Sequence, residues 1–402
     1  MMASNSFGAR SAPRIAAPLV MGGLIANLVI AHMLFGDKAR VFLLKHSMGD
    51  FIKHVMSFPG APLTHSRFQN YIDALQYNID ANVGLVSHFH NMPLTVLITL
   101  LIRPIFAIED PVVVYLIASS VFFVLWGYVC HLYADADARP RALGLALLNY
   151  PLFLMFERGN LFAGITAICL LAMLCRRRLD WTAVLLLAVA ANIRPNVLIL
   201  ALPLLAVDRE SLMFVVRTTV VGAALALVCL AVDGMLYPAY TLPTVLAGLA
   251  LYKKAVILGP LGVEFGSSLW GAVRHFVPAT DANAGLCTVL GLFPLALAWF
   301  ARDRLSYPAQ CFLAIAAITL FTTVLGDYHL MIFVAPLLLV QRNDPAFWPI
   351  VLGSCWMLIP KNYTPAGVLS WQVYLNPAGL IVAVMLVMAA VGAKRSSAPL
   401  PA

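Results

Sequence analysis

From residue 15 to residue 391 the chain repeats one pattern, apolar runs of helix length separated by polar turns and by two longer polar regions. The runs are 15–35, 92–108, 112–133, 142–156, 161–174, 181–193, 197–207, 212–232, 284–300, 310–325, 330–340, 347–359 and 377–391. About 17–25 apolar residues carry a helix across ~30 Å of hydrocarbon. In that solvent every backbone N–H and C=O must be paired within the protein, which leaves only helices and closed barrels. Long stretches of alternating polar and apolar residues, the mark of a barrel strand, are absent. Charge decides the solvent. Only 11% of the 402 residues are charged and 62% are apolar, whereas a soluble domain carries roughly a quarter charged residues. The reading is an all-α polytopic integral membrane protein, one domain over 1–402, with a bundle of about 10–13 transmembrane helices.

The longest stretch that lipid would not accept is 37–91, after the first membrane helix at 15–35. Phe51, Ile52, Val55, Met56 and Phe58 recur at helical spacing, and so do Phe68, Tyr71, Ile72, Leu75 and Tyr77. This predicts two amphipathic helices lying at the interface within the first loop. A second amphipathic region is expected over 233–283, and 92–393 forms the helical bundle. The first helix is long for a signal-peptide core and lacks a clear cleavage site, so it reads as a retained anchor.

The net charge of +8 invites a nucleic-acid partner. The Lys and Arg residues sit at helix ends and in short loops rather than on one face, which is how a membrane protein distributes orienting charge, so nucleic acid is rejected. Arg10, Arg14, Arg176-Arg177-Arg178, Arg209, Arg302, Arg304, Arg342 and Lys394-Arg395 are placed inside by that rule. About twelve crossings satisfy all of them, provided that 142–156, short and interrupted at Asn149-Tyr150-Pro151, is re-entrant. Arg139 and Arg141 remain outside and count against the scheme. The expected location is a cell membrane of the bacterial inner-membrane kind, with both termini cytoplasmic. The seven cysteines lie mostly inside apolar runs, without a CxxC pair or Cys/His metal spacing, and read as buried thiols.

With this topology the polar residues that do not orient helices collect at the outer ends. Asp50 in Gly49-Asp50-Phe51 suits a general base that takes a proton from an attacking hydroxyl; it equally suits an N-cap for the helix that starts at Phe51. His88 and His90 precede a membrane helix. An i, i+2 pair shares no helix face, so hydrogen bonding to a phosphate or sugar competes with interfacial packing, and no metal site is assigned. Glu157-Arg158-Gly159-Asn160 opens the run 161–174, where helix N-terminal amides and Arg158 favour an anion; the alternative is a Glu–Arg pair that caps the helix. Arg194-Pro195 interrupts an apolar run, and Arg194 suits either a lipid-linked phosphate or snorkelling to the interface. Tyr328 and His329, in Asp327-Tyr328-His329, stand at the last outer turn, to bind sugar or phosphate or simply to be satisfied there. Charged groups at membrane depth are costly and usually line a cavity.

The combination resembles the GT-C glycosyltransferases and, within them, glycosyltransferase family 87, the mannosyltransferases that use polyprenyl-phosphate-mannose. Gly49-Asp50-Phe51 resembles that family's early Asp-Phe after the first helix. Glu157-Arg158-Gly159-Asn160, an apolar helix and Arg176-Arg177-Arg178 are similar to its turn–helix–basic segment. Ala190-Ala191-Asn192-Ile193-Arg194-Pro195 and Asp327-Tyr328-His329-Leu330 resemble two further segments. The likeness covers nearly the whole chain through short motifs, and it departs after Asp50, where Ile52-Lys53-His54 replaces an aromatic cluster.

The resemblance implies a GT-C-like bundle and an inverting transfer of a hexose, in the first place mannose, from a polyprenyl-phosphate-sugar donor to a glycolipid or glycan acceptor among the membrane lipids. Asp50 would be the base, and Arg194, Arg158 and His329 would meet the leaving phosphate. No cofactor is expected, and no Gly-rich nucleotide loop of the GxGxxG or GxxxxGK type is found. A polytopic transporter or flippase of lipid-linked sugars is the rival reading, since broken helices and intramembrane charge also serve alternating access.

Overall fold

The computed structural model describes residues 12–35, 92–102, 105, 111–204, 209–236, 238, 240–259, 267–361 and 371–396. Regular structure there is helical, and no strand occurs among the described residues. In chain order the α-helices are α1 (Ala12–Phe35), α2 (Pro93–Ile102), α3 (Pro111–Tyr133), α4 (Arg139–Leu147), α5 (Tyr150–Arg158), α6 (Leu161–Arg176), α7 (Trp181–Ile193) and α8 (Arg209–Leu236). They continue with α9 (Leu242–Tyr252), α10 (Leu269–Val273), α11 (Asp281–Gly291), α12 (Phe293–Phe300), α13 (Tyr307–Phe321), α14 (Val334–Leu339), α15 (Phe347–Leu358) and α16 (Gln372–Ser396). Two 3₁₀ segments, Pro195–Leu204 and Asp327–Phe333, replace the α-helices expected at 197–207 and at the start of 330–340.

Five stretches are long and apolar enough to cross a bilayer: Ala12–Ile30, Val113–Tyr133, Arg209–Leu236, Asp281–Phe300 and Gln372–Ala393. With the shorter apolar helices around them they make an all-α membrane protein. Most of the core is one large cluster, in which α13 and α14 are buried along almost their whole length and α15 along one face. Six of the seven cysteines are buried, Cys175 is half-buried, and all are free thiols.

Side-chain contacts fix which helix ends lie together. Tyr115 clusters with Leu161, and the Phe122 ring sits where a Cβ on Gly164 would come within 2.5 Å, so α3 and α6 run side by side in the same direction. At their far ends Tyr133 reaches Arg176. There the Tyr307 hydroxyl donates to the Leu174 carbonyl at 2.8 Å and Arg177 donates to the Leu339 carbonyl at 3.3 Å. Arg176, Arg177, the start of α13 and the end of α14 therefore share one end of the bundle, the basic end. At the opposite, polar end lie the starts of α3 and α6, the end of α13 and the start of the Asp327 segment.

The segment 142–156, expected to be re-entrant, lies within two consecutive helices. Its helix begins earlier, at Arg139, and α4 and α5 together run antiparallel to α3 over its length. Trp126 Nε1 donates to the Ala146 carbonyl at 2.9 Å, and the Tyr115 hydroxyl donates to the Phe156 carbonyl. Asp137, just before α4, pairs with Arg14 at 3.7 Å. Asn149 repairs the break between the two helices. Its Nδ2 donates to the carbonyls of Leu145 (3.0 Å) and Ala146 (2.8 Å), while its Oδ1 accepts from Leu152 N (3.0 Å). One amide thus serves two of the last carbonyls of α4 and one of the first N–H groups of α5, groups that hydrocarbon would leave unpaired. Arg139 and Arg141 fall at the basic end with Arg14. Of the expected run 92–108, α2 covers Pro93–Ile102, about 15 Å by helical rise.

The second amphipathic region starts later than expected. Residues 233–236 belong to α8, and the region continues as α9, a π-turn at Lys253–Ile257 and the short α10.

Candidate functional site

The residues proposed from sequence meet the structure unequally. Asp50, His88 and His90, with the two amphipathic helices expected in 37–91, lie outside the described residues, and so does the Glu157 side chain. Arg158, Asn160, Arg194, Tyr328 and His329 all stand at the polar end.

Gly159 makes the first turn. At φ 72° it adopts the left-handed conformation that ends α5, with its N–H on the carbonyls of Met155 and Phe156. The chain reverses, and buried Asn160 caps α6 by accepting from Ala163 N at 3.1 Å. The capping role weighed for this turn thus falls to Asn160, and Arg158 stands half-buried beside it.

The 3₁₀ segment Asp327–Phe333 packs across α5 and α6 and so brings Tyr328 and His329 to this turn. The Tyr328 ring folds back onto Gly326, where a Cβ would meet its Cζ at 2.5 Å; only glycine fits that approach. Tyr328 and His329 stack edge to face at 4.5 Å between centroids. His329 presents a buried Nε2 with no hydrogen-bond partner.

Arg194 ends α7 in extended conformation, released from the helix by Pro195. Its Nε is likewise buried and unpartnered, and it lies within electrostatic reach of His329. Asn196 Nδ2 donates to the Thr322 hydroxyl at 2.8 Å, tying the Arg194 turn to the end of α13. Two nitrogen groups from separate elements therefore converge with open valences. Buried polar groups are normally paired, and a cation beside an imidazole, each with an unpaired buried nitrogen, is an arrangement that an anion completes.

Behind His329 stands a polar network that sequence reasoning did not find. Half-buried Asp327 accepts from the Ser267 hydroxyl and from Gln372 Nε2. Ser267 accepts in turn from Asn376 Nδ2 at 2.6 Å, and Gln372 Nε2 also reaches the Tyr150 hydroxyl at 3.4 Å. Gln372 Oε1 accepts from Lys361 N at 3.0 Å. The Lys361 ammonium, 4% exposed, donates to the carbonyls of Trp356 and Ile359 and lies 4.8 Å over the Trp356 ring. Burial pulls its pKa from the ordinary 10.5 down to about 7, and the negative charge of Asp327 resists that fall. Asp327 thereby anchors the segment that carries His329 to α5, α16 and the residues before α10. The available signal was Lys361 itself, a lone basic residue away from the orienting clusters. Ser267, Gln372 and Asn376 carry no such mark.

No protein-family model matches the chain, and neither a curated protein nor a solved structure does.

Proposed function

We propose that the chain is a membrane glycosyltransferase of the GT-C kind that moves a hexose, in the first place mannose, from a polyprenyl-phosphate-sugar to a glycolipid or glycan acceptor. The observation that carries this reading is the pair of buried, unpartnered nitrogens on Arg194 and His329 at the end of the bundle opposite the Arg176-Arg177 turn. A lipid-linked phosphate matches both the charge and the setting, because its headgroup is anionic and its tail belongs among helices.

By the positive-inside rule the basic end is cytoplasmic and the polar end faces outward. With α4 and α5 as one broken crossing and α2 confined to the outer half, about twelve crossings result, both termini lie inside, and Arg139 and Arg141 join the other inside charges. The membrane is then a bacterial inner membrane or its equivalent.

In the proposed step Asp50 takes the proton of an acceptor hydroxyl. The oxygen attacks the anomeric carbon from the face opposite the phosphate, the carbon–phosphate oxygen bond breaks, and its electron pair leaves with the phosphate. Arg194, with Arg158 nearby, stabilises the charge that develops there, and preorganised donors of this kind supply a large part of such catalysis. A transporter of lipid-linked sugars fits less well, because alternating access centres its charges near the midplane and these gather at one end.

The test is transfer of radiolabelled mannose from polyprenyl-phosphate-mannose to membrane glycolipids by the purified protein, with Arg194→Ala as partner variant. The reading expects transfer by the wild type and at least tenfold weaker donor use by the variant, the scale of a lost charge-assisted contact (~1.5–3 kcal/mol). Equal donor use by both removes Arg194 from the phosphate site.

A further inference from the structure

Trp181, Trp299 and Trp348 are exposed at the basic end. Trp181 opens α7 and Trp348 stands in the first turn of α15. Trp299 ends α12 beside Arg302, whose carbonyl accepts from Gln310 Nε2 at the start of α13. Indole rings gather at the membrane–water boundary, so together these residues set the headgroup level at that end.

Arg217 starts well away from that level, about 12 Å into α8 from Arg209 by helical rise. α7 and α8 run side by side in the same direction. Asn192 Nδ2 donates to the Gly222 carbonyl at 3.0 Å near one end, and the Arg217 guanidinium sits 5.2 Å over the Trp181 ring near the other. Side chains on a helix slant toward its N-terminus, and that slant carries the Arg217 charge down to Trp181.

There the charge is incompletely matched. Arg217 makes no ion pair or hydrogen bond among the described residues. Asp180, next to the ring, is already held by Arg176 at 2.5 Å and by Ala183 N at 3.0 Å. Arg302 lies over Trp299 in the same manner, at 5.6 Å, but Asp303 stands 3.7 Å from it. An indole face meets the charge of a guanidinium and accepts from none of its five N–H groups. Leu185 and Val220 lie one helical turn further into the membrane on the faces of Trp181 and Arg217, and they are 54% and 62% exposed. A cation at headgroup level below an open apolar face has the form of a phospholipid, with its phosphate on the guanidinium and an acyl chain along Leu185 and Val220. A free phosphate would use only the first of these.

We propose that Arg217 and Trp181 form a site for an anionic phospholipid in the leaflet at the basic end. In a zwitterionic lipid the headgroup ammonium competes for the same phosphate, so the site prefers phosphatidylglycerol to phosphatidylcholine. It lies at the opposite end of α7 from Arg194 and does not depend on sugar transfer.

The experiment follows thermal unfolding of the detergent-solubilised full chain with dioleoyl phosphatidylglycerol, with dioleoyl phosphatidylcholine and with inorganic phosphate. Phosphatidylglycerol raises the wild-type midpoint, and the other two raise it by less than half as much. Arg217→Gln and Trp181→Leu each lose at least half of the phosphatidylglycerol gain, whereas Arg302→Gln, equal to Arg217→Gln in net charge, keeps it. Arg217→Met, which retains an apolar stem, matches the wild-type midpoint without lipid and shows the same loss, which separates the site from a folding defect. Native mass spectrometry of phosphatidylglycerol titrations gives about fivefold weaker binding for Arg217→Gln, the worth of one basic residue at an anionic surface. The proposal is overturned by an equal gain from phosphatidylcholine or inorganic phosphate, by the full gain in the Arg217 variants, or by an equal loss in Arg302→Gln.

Discussion

Asn196 donates its amide N–H to the Thr322 hydroxyl at 2.8 Å, and the Thr322 hydroxyl donates in turn to the Ile318 carbonyl at 2.6 Å. This short relay locks the turn that carries Arg194 to the helix end from which the chain runs on to His329. Asn196→Ala and Thr322→Val each cost about 1 kcal/mol of stability, the usual worth of such a bond. Each also raises the donor KM several-fold while leaving the acceptor KM alone. The double variant is no worse than Thr322→Val alone, because that substitution already removes the Asn196 contact. Fully additive losses in unfolding and transfer measurements would show that the relay does not hold the site.

Lys361 gives the fold a pH dependence of known sign. The unfolded chain holds the lysine proton up to about 10.5, and the folded chain releases it at about 7. Between these values the unfolded state binds the extra proton, so stability rises with pH through the window and is flat below it. Thermal midpoints from pH 6 to pH 9.5, taken as wild type minus Lys361→Met, isolate this slope. A difference that stays constant or falls with rising pH contradicts the burial of an ammonium there.

Asn149 shows what a hydrophobic pattern hides. Pro151 and a short apolar run read as a helix too broken to cross, because the pattern of hydrophobicity does not reveal that one side chain can serve both broken ends. Asn149→Leu removes three hydrogen bonds at membrane depth and lowers stability by about 2–4 kcal/mol, on the scale of caps and buried amides. Unfolding in detergent measures it, and a change under ~0.5 kcal/mol would mean that water or lipid headgroups satisfy the break.

The side of the membrane on which Arg139 lies separates the two ways of counting. In a cysteine-free background, Arg139→Cys, Arg176→Cys and Arg342→Cys label from the cytoplasmic side, and Asn160→Cys and Lys253→Cys label from the outside. Labelling of Arg139→Cys together with Asn160→Cys would restore the re-entrant segment.

Much of the helix inventory was legible, because run length and charge placement are one-dimensional signals; α3, α6, α7 and α15 fall within a few residues of the expected bounds. That Arg158, Asn160, Arg194, Tyr328 and His329 share one end of the bundle was legible for the same reason, since they are polar residues at the ends of apolar runs. The network of Ser267, Asp327, Lys361, Gln372 and Asn376 was not, since it is assembled from residues far apart in sequence that tertiary packing alone brings together. Asp233, a carboxylate at the edge of an apolar run, reads as the end of a helix, whereas α8 continues to Leu236.

The central claim is that this membrane protein transfers sugar from a lipid phosphate with Asp50 as the base. Purified wild type and Asp50→Asn, matched for thermal unfolding, are compared for mannose transfer from polyprenyl-phosphate-mannose. The account predicts turnover by the wild type and a loss of at least a hundredfold in the variant, as for removal of a general base, with donor binding retained. Full activity in Asp50→Asn would contradict the assignment of the base, and no transfer by the folded wild type would contradict the reaction.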